Sequence, residues 1–207
     1  MRPAPAGGRG AVSFVDTPAG TCALRHYRRG GLVARLVRSR YVWVGAERTR
    51  AFREFRLLAR LVELDLPVPA PVAARYERHG FSYSADLLTR RIEGARTLAQ
   101  MLDAATSDLG ERIGETIARF HAAGVWHADL NAHNVLVDDR NAVWLLDFDR
   151  GRMRPPRKSW RCANLGRLDR SLRKLGAGDI AGFETRFWCP LVAAYRSRFR
   201  TEREASQ

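Results

Sequence analysis

Apolar and polar positions change period near the middle of the chain. Ala11-Val12-Ser13-Phe14-Val15 and Thr21-Cys22-Ala23-Leu24-Arg25-His26-Tyr27 flank Asp16-Thr17-Pro18-Ala19-Gly20, which predicts a strand, a turn and a second strand. Residues 47–64 place Phe52, Phe55, Leu58, Leu61 and Val62 at helical spacing, and Pro67 and Pro69 stop that helix. Residues 71–92 read as further strands about a turn at Gly80, with Ala85 through Arg90 forming an apolar run suited to an edge or hinge strand.

From Leu98 the spacing lengthens. Leu98, Met101 and Leu102, then Leu109, Ile113, Ile117 and Phe120, predict two helices parted near Thr106-Ser107-Asp108, the second ending at Gly124. Val135-Leu136-Val137 and Val143-Trp144-Leu145-Leu146 are short apolar strands around Asp138-Asp139-Arg140-Asn141, and the chain after Ser159 reads as helical. The expectation is an α+β chain with a sheet-rich half, residues 1–93, carrying one helix, and a helix-rich half, residues 94–207, holding a small hairpin.

Composition adds a partner class. Lys and Arg number 36 against 22 Asp and Glu, for a net charge of +14, and the cations are overwhelmingly Arg, which suits bidentate contact with phosphate or carboxylate. Charge alone would equally suit nucleic acid or a solvated face. Cys22, Cys162 and Cys189 stand far apart without CxxC spacing and read as reduced thiols. The amino terminus lacks the apolar core of a leader, and no stretch approaches the roughly 18 apolar residues of a membrane span.

The chemistry concentrates in His127-Ala128-Asp129-Leu130-Asn131-Ala132-His133-Asn134 and in Asp147-Phe148-Asp149. Phosphoryl transfer needs a carboxylate near the attacking hydroxyl and ligands that hold Mg2+ on the phosphates of ATP. Asp129 suits the first task, and Asn134 and Asp147 the second, since a hairpin between them would return Asp147 to Asn134. The bland reading is that both aspartates cap turns; His127 reads as support for the loop. For the nucleotide, Gly7, Gly8 and Gly10 could open backbone amides to phosphates. No Lys occurs before Lys158, so Arg25 is the candidate phosphate-anchoring cation, with Glu54 as its partner and Glu47 as second choice.

These residues carry a family resemblance. Leu24 through Gly31, Thr49 through Phe55, Leu66 through Pro71, Ala85 through Thr89, His127 through Asn134, Leu146 through Gly151, Asn164 through Leu168 and Arg170-Ser171-Leu172 resemble the lipopolysaccharide kinase family. The resemblance implies a protein-kinase-like fold with an amino-terminal nucleotide lobe and a helical carboxy-terminal lobe. It implies transfer from ATP with Mg2+ to the 4-hydroxyl of 3-deoxy-D-manno-octulosonic acid (Kdo) on a lipid A precursor. It also implies peripheral contact with the anionic cytoplasmic face of the bacterial inner membrane, with no nucleic acid as partner. Asp129 then matches the catalytic base, Asn134 and Asp147 the metal ligands, and Arg25 with Glu54 the anchoring pair.

Ala128 and Asp149 depart from the protein-kinase pattern, and the tail after Asp149 is short for a peptide-binding subdomain, which favours a small kinase without a regulated activation loop. The family pattern also places another strand ahead of Gly8, so the expectation includes a trimmed nucleotide lobe or a misassigned start. Rival readings are a RIO-like protein kinase, an aminoglycoside-type phosphotransferase, or a non-catalytic basic module on the same fold.

Overall fold

The computed structural model describes residues 2–3, 12–18, 20–27 and 41–204. The chain divides into two compact units, Met1–Glu63 with Pro69–Ile92 and Leu64–Val68 with Glu93–Gln207.

The first unit is an antiparallel sheet with one helix. Its strands are β1 (Arg2–Pro3), β2 (Val12–Thr17), β3 (Gly20–His26), β4 (Tyr41–Val42), β5 (Pro71–His79) and β6 (Ser82–Arg90), in the order β1-β2-β3-β6-β4 with β5 also on β6. A strand does precede Gly8, since Arg2 pairs with Phe14 and Pro3 with Ser13. The run Ala85 to Arg90 is not at an edge. Asp86 lies opposite both His26 of β3 and Arg75 of β5. This acid is paired on both sides, with His26 and, at 2.6 Å, with Arg75. Tyr83, Ala85 and Leu87 alternate inward, as a half-buried strand requires.

Helix α1 (Arg50–Glu63) packs on β5 and β6. Its buried stripe runs through Ala51, Glu54, Leu58 and Leu61, so Leu58 and Leu61 of the expected face point inward while Phe52, Phe55 and Val62 lie off the stripe. Phe52 and Phe55 are half-buried and Val62 is exposed, while a carboxylate takes an inward position. That substitution is explained by the partner it meets, described below.

The second unit contains β7 (Arg96–Thr97), a 3-10 helix over Leu98–Ala104, α2 (Ser107–Ala122), β8 (Val125–Trp126), β9 (Val135–Val137), β10 (Val143–Leu145), β11 (Arg152–Met153), α3 (Lys158–Lys174) and α4 (Cys189–Glu204). The sequence expects one hairpin here. That hairpin forms, with Val143 opposite Val137 and Leu145 opposite Val135, and β7 extends it to three strands while β8 pairs with β11. Two-residue strands carry too little alternation to be read from sequence. Thr97 and Gln100 close a capping box on the 3-10 helix, and Thr106 caps α2 by accepting from the Leu109 amide at 3.3 Å. Ile113, Ile117 and Phe120 of α2, Leu168 and Leu172 of α3 and Leu191 of α4 are fully buried in this unit. The chain segment 64–68 joins it through Leu66 and Val68, and the Leu145 amide donates to the Pro67 carbonyl at 3.0 Å.

Candidate active site

The loop from His127 to Asn134 lies between β8 and β9, and its shape is set by bonds that leave one carboxylate outward. The Asp129 amide donates to His127 Nδ1 at 3.1 Å, and the Asp129 carbonyl accepts from Asn131 Nδ2 at 3.1 Å and Asn134 Nδ2 at 2.9 Å. The Asp129 backbone therefore builds the loop while its side chain stays 63% exposed. Turn-capping, the bland role, falls in the hairpin to Asp138 and not to Asp129. Asp138 Oδ1 accepts from the Arg140 and Ala142 amides at 2.9 Å each, and its Oδ2 from Trp144 Nε1 at 2.9 Å.

The hairpin brings Asn134 and Asp147 together as the spacing predicts. Asn134 precedes β9, Asp147 follows β10 by two residues, and the Leu146 amide donates to the Asn134 carbonyl at 2.9 Å. Asp147 has φ 59°, a left-handed conformation unusual for a non-glycine residue and of the kind concentrated at functional sites. The next residue turns inward: Phe148 is buried, stacked on Phe120 at 5.7 Å and tilted against the His127 ring at 4.7 Å. Asp149, which replaces the familiar glycine, donates its amide toward Asp147 Oδ1 at 3.4 Å.

His127 links the two acidic segments. Its ring is buried, accepts the Asp129 amide at Nδ1 and donates from Nε2 to the Leu146 carbonyl at 2.8 Å. Both nitrogens are committed to backbone, so the ring is a neutral strut and has no proton to trade with substrate. Asn164 of α3 clamps the same residue from below, its Oδ1 accepting the His127 amide at 3.2 Å and its Nδ2 donating to the His127 carbonyl at 2.9 Å. The same Oδ1 accepts from His121 Nε2 at 3.3 Å, which leaves His121 Nδ1 to accept from the Tyr195 hydroxyl at 2.8 Å.

Burial holds both imidazoles neutral. His127 titrates below the usual histidine range, and His121 is pushed down to about 3. For His121 the unfolded chain takes up the proton near pH 6.5 and the folded chain does not, so its share of stability is fully present above about 6.5 and is lost as pH falls toward about 3. For His121 that loss is about 2 kcal/mol by about pH 5. Urea unfolding at about pH 7 and about pH 5 measures it, and equal midpoints at the two values would contradict the neutral-strut reading.

Three α3 residues that this loop uses lie in segments that carry the family resemblance, but the sequence assigned them no role. Asn164 was visible in principle as a polar residue in the buried Trp160-Asn164-Leu168-Leu172 stripe. Ser171 Oγ accepts from the Ala132 amide at 3.1 Å, and Arg167 Nη1 stands 3.7 Å from Asp129 Oδ1.

In the first unit Arg25 Nη2 pairs with Glu54 Oε2, so strand and helix supply the expected cation and carboxylate. Glu54 is only 3% exposed, and an unpaired carboxylate there would cost several kcal/mol. Tyr27, also missed, completes the group: its hydroxyl donates to Glu54 Oε2 at 2.5 Å and accepts from Arg25 at 3.0 Å. Burial pushes the Tyr27 hydroxyl well above the usual tyrosine range, so it remains a donor. Glu47, the second choice, pairs with Arg56 instead. Gly8 and Gly10 lie outside the described residues, as do Arg28 and Arg29.

Within the second unit, then, an outward carboxylate on a braced loop sits in the same cluster as an amide and a carboxylate from either side of a hairpin. Such a set can accept a proton from a hydroxyl and offer hard oxygen donors to a divalent cation. The sequence is similar to enzymes of one kind. It is 53% identical over 175 residues to the 3-deoxy-D-manno-octulosonic acid kinase of Stenotrophomonas maltophilia strain K279a, covering 84% of this chain and 70% of that protein. It is 54% identical over 175 residues, with the same coverage, to the enzyme of that name from Xanthomonas axonopodis pv. citri. Against the one from Xylella fastidiosa strain M23 the figure is 50% over 170 residues, covering 82% and 68% of the two chains. The family model for lipopolysaccharide kinases matches residues 4–195, which takes in the braced loop, the hairpin, Asp147 and all of α3, and the chain belongs to the lipopolysaccharide kinase (Kdo/WaaP) family.

Proposed function

We propose that this kinase transfers the γ-phosphoryl group of ATP to the 4-hydroxyl of a Kdo residue carried on a lipid A precursor. The observation that carries the reading is Asp129, outward on a loop whose own backbone needs nothing from its carboxylate, clustered with Asn134 and Asp147 in a chain about half identical to Kdo kinases. Asp129 accepts the proton of the attacking sugar hydroxyl as the new bond to phosphorus forms. Arg25, oriented by Glu54 and Tyr27, holds the nucleotide phosphates.

Asn134 and Asp147 would hold Mg2+. The donor set fits: the Asn134 amide nitrogen is committed to the Asp129 carbonyl, which leaves Oδ1 as the atom to accept a cation, and Asp147 adds a carboxylate. One or two protein oxygens are what Mg2+ takes when phosphates and water complete its shell. When bound, the ion offsets charge on the phosphates.

No described helix is long and apolar enough to cross a membrane. The lipid-borne acceptor and the +14 charge support peripheral contact with the anionic cytoplasmic face of the inner membrane, where each Lys or Arg near the surface gains about 1 kcal/mol. The test is transfer of labelled phosphate from ATP to the Kdo-bearing lipid, with free Kdo and a generic protein as controls. The lipid-linked sugar is expected to carry the label, and label on the protein instead would sink the assignment.

A further inference from the structure

We propose that the middle of α3 forms a subsite for the carboxylate of the acceptor sugar, with Arg167 as its principal contact and Arg170 beside it. The proposal rests on the Kdo reading above. The relatives are named for an octulosonic acid, a sugar that carries a carboxylate.

The catalytic loop contains no Lys or Arg between His127 and Asn134, so any cation beside the base must come from elsewhere in the fold. α3 supplies it. Arg167 Nη1 lies 3.7 Å from Asp129 Oδ1, beyond hydrogen-bond length, and its side chain is 46% exposed. A guanidinium has five donors in a planar fork, and this long contact leaves them available to an incoming anion.

The position of Arg167 is fixed by the bonds on either side of it along α3. Asn164 clamps the His127 backbone one turn earlier, and Ser171 Oγ takes the Ala132 amide one turn later. Arg167 sits between these two anchors, so the helix carries it to the base in a set register. Such precision is hard to explain for a merely solvated cation.

Arg170 adds a second guanidinium. It is exposed, has no acidic partner among the described residues, and folds back so that its Nη1 lies 3.4 Å from where a Cβ on Gly166 would stand. The next cation along the helix is different, since Arg173 is held by Asp169 at 2.9 Å and Glu184 at 3.3 Å. A carboxylate gripped by the Arg167 fork would hold the sugar with a hydroxyl toward Asp129, which makes these arginines a device for choosing acidic sugars over neutral ones.

The experiment uses the full chain with ATP and two acceptors, the Kdo-bearing lipid precursor and the same molecule with its carboxylate converted to a primary carboxamide. The wild type is expected to favour the acid by roughly 10- to 100-fold in kcat/KM, the range of a charge-assisted hydrogen bond. In Arg167→Gln that preference should fall to about threefold or less, mostly through KM for the acceptor, while Arg167→Lys keeps part of it and Arg170→Gln loses a smaller share. A uniform loss on both acceptors in Arg167→Gln, with the preference intact, would make Arg167 a support for Asp129 and overturn the subsite alone. Failure of the wild type to label either acceptor would overturn the Kdo reading and the subsite with it.

Discussion

Asp129→Asn is expected to lower kcat by roughly a hundred- to ten-thousandfold while leaving the fold intact. The loss follows from chemistry, because an amide cannot take the proton of the attacking hydroxyl. The preserved fold follows from the bonding of the loop. The Asp129 amide bonds His127 and its carbonyl takes both Asn131 and Asn134, so every hydrogen bond that Asp129 gives the loop runs through backbone that the substitution keeps. Among the described residues its carboxylate meets only the long contact with Arg167, and exposed pairs of that kind contribute at most about 1 kcal/mol. Kinetics on the Kdo-bearing lipid should therefore collapse while the urea midpoint moves little. Undiminished turnover would remove Asp129 from the base role, and a collapsed midpoint would show that the side chain had been structural. The same logic separates Asn134, whose amide is itself a loop bond, and whose replacement by alanine should cost both activity and stability.

The second large effect concerns stability alone. Gly114→Val should destabilise the second unit by about 3 kcal/mol or more, a large share of the roughly 5 to 15 kcal/mol that holds a domain folded. A Cβ at Gly114 would stand 2.2 Å from the Leu191 carbonyl oxygen and 3.1 Å from the Tyr195 amide, and one at Gly110 would stand 2.4 Å from the Phe187 carbonyl. Both obstacles are backbone of α4 and of the turn leading into it, so no rotamer change relieves them. On a free helix surface the opposite sign is expected, because a glycine inside a helix costs about 1 kcal/mol relative to alanine. Gly114→Ala tests this with less bulk, and Gly178→Ala, where nothing lies within 4 Å of the added carbon, is the control. A Gly114→Ala protein as stable as the wild type would mean that α2 and α4 can separate without penalty. Because α2 also carries Phe120, which stacks on Phe148 beside Asp147, loosening this crossing should reach the site as reduced activity.

Much of the site was legible in the sequence because its spacing encodes a physical arrangement. Asp129 and Asn134 share one loop, and two short apolar strands around a polar turn can only return the chain, so Asp147 arriving beside Asn134 follows from the hairpin alone. Arg25 was readable by elimination, there being no Lys before Lys158, and its partner Glu54 by its place on the helix. The elements with long periodic runs, α1, α2, β5 and β6, were equally plain.

What the sequence left open depends on contacts between elements distant along the chain. The apolar run Ala85 to Arg90 suits an edge or hinge strand by sequence, yet β3 and β5 pair with it from both sides, where His26 and Arg75 meet Asp86, and β6 is central. The buried face of α1 turned out one position away from its aromatic residues, because Glu54 faces Arg25 and Tyr27 and fixes the rotation of the helix. Asn164, Arg167 and Ser171 form one edge of α3, thirty residues or more after the loop they brace, and local spacing does not say what they hold.

The sequence by itself determined the chemistry: a carboxylate, an amide and a second carboxylate at kinase spacing, with an arginine-rich surface for an anionic acceptor. Only the tertiary structure decided how those groups are held, since a local spacing can set a hairpin or a turn, whereas the orientation of a helix comes from the side chains it meets across the fold. The neutral histidine strut, the tyrosine behind the ion pair and the arginine beside the base all arise from such meetings.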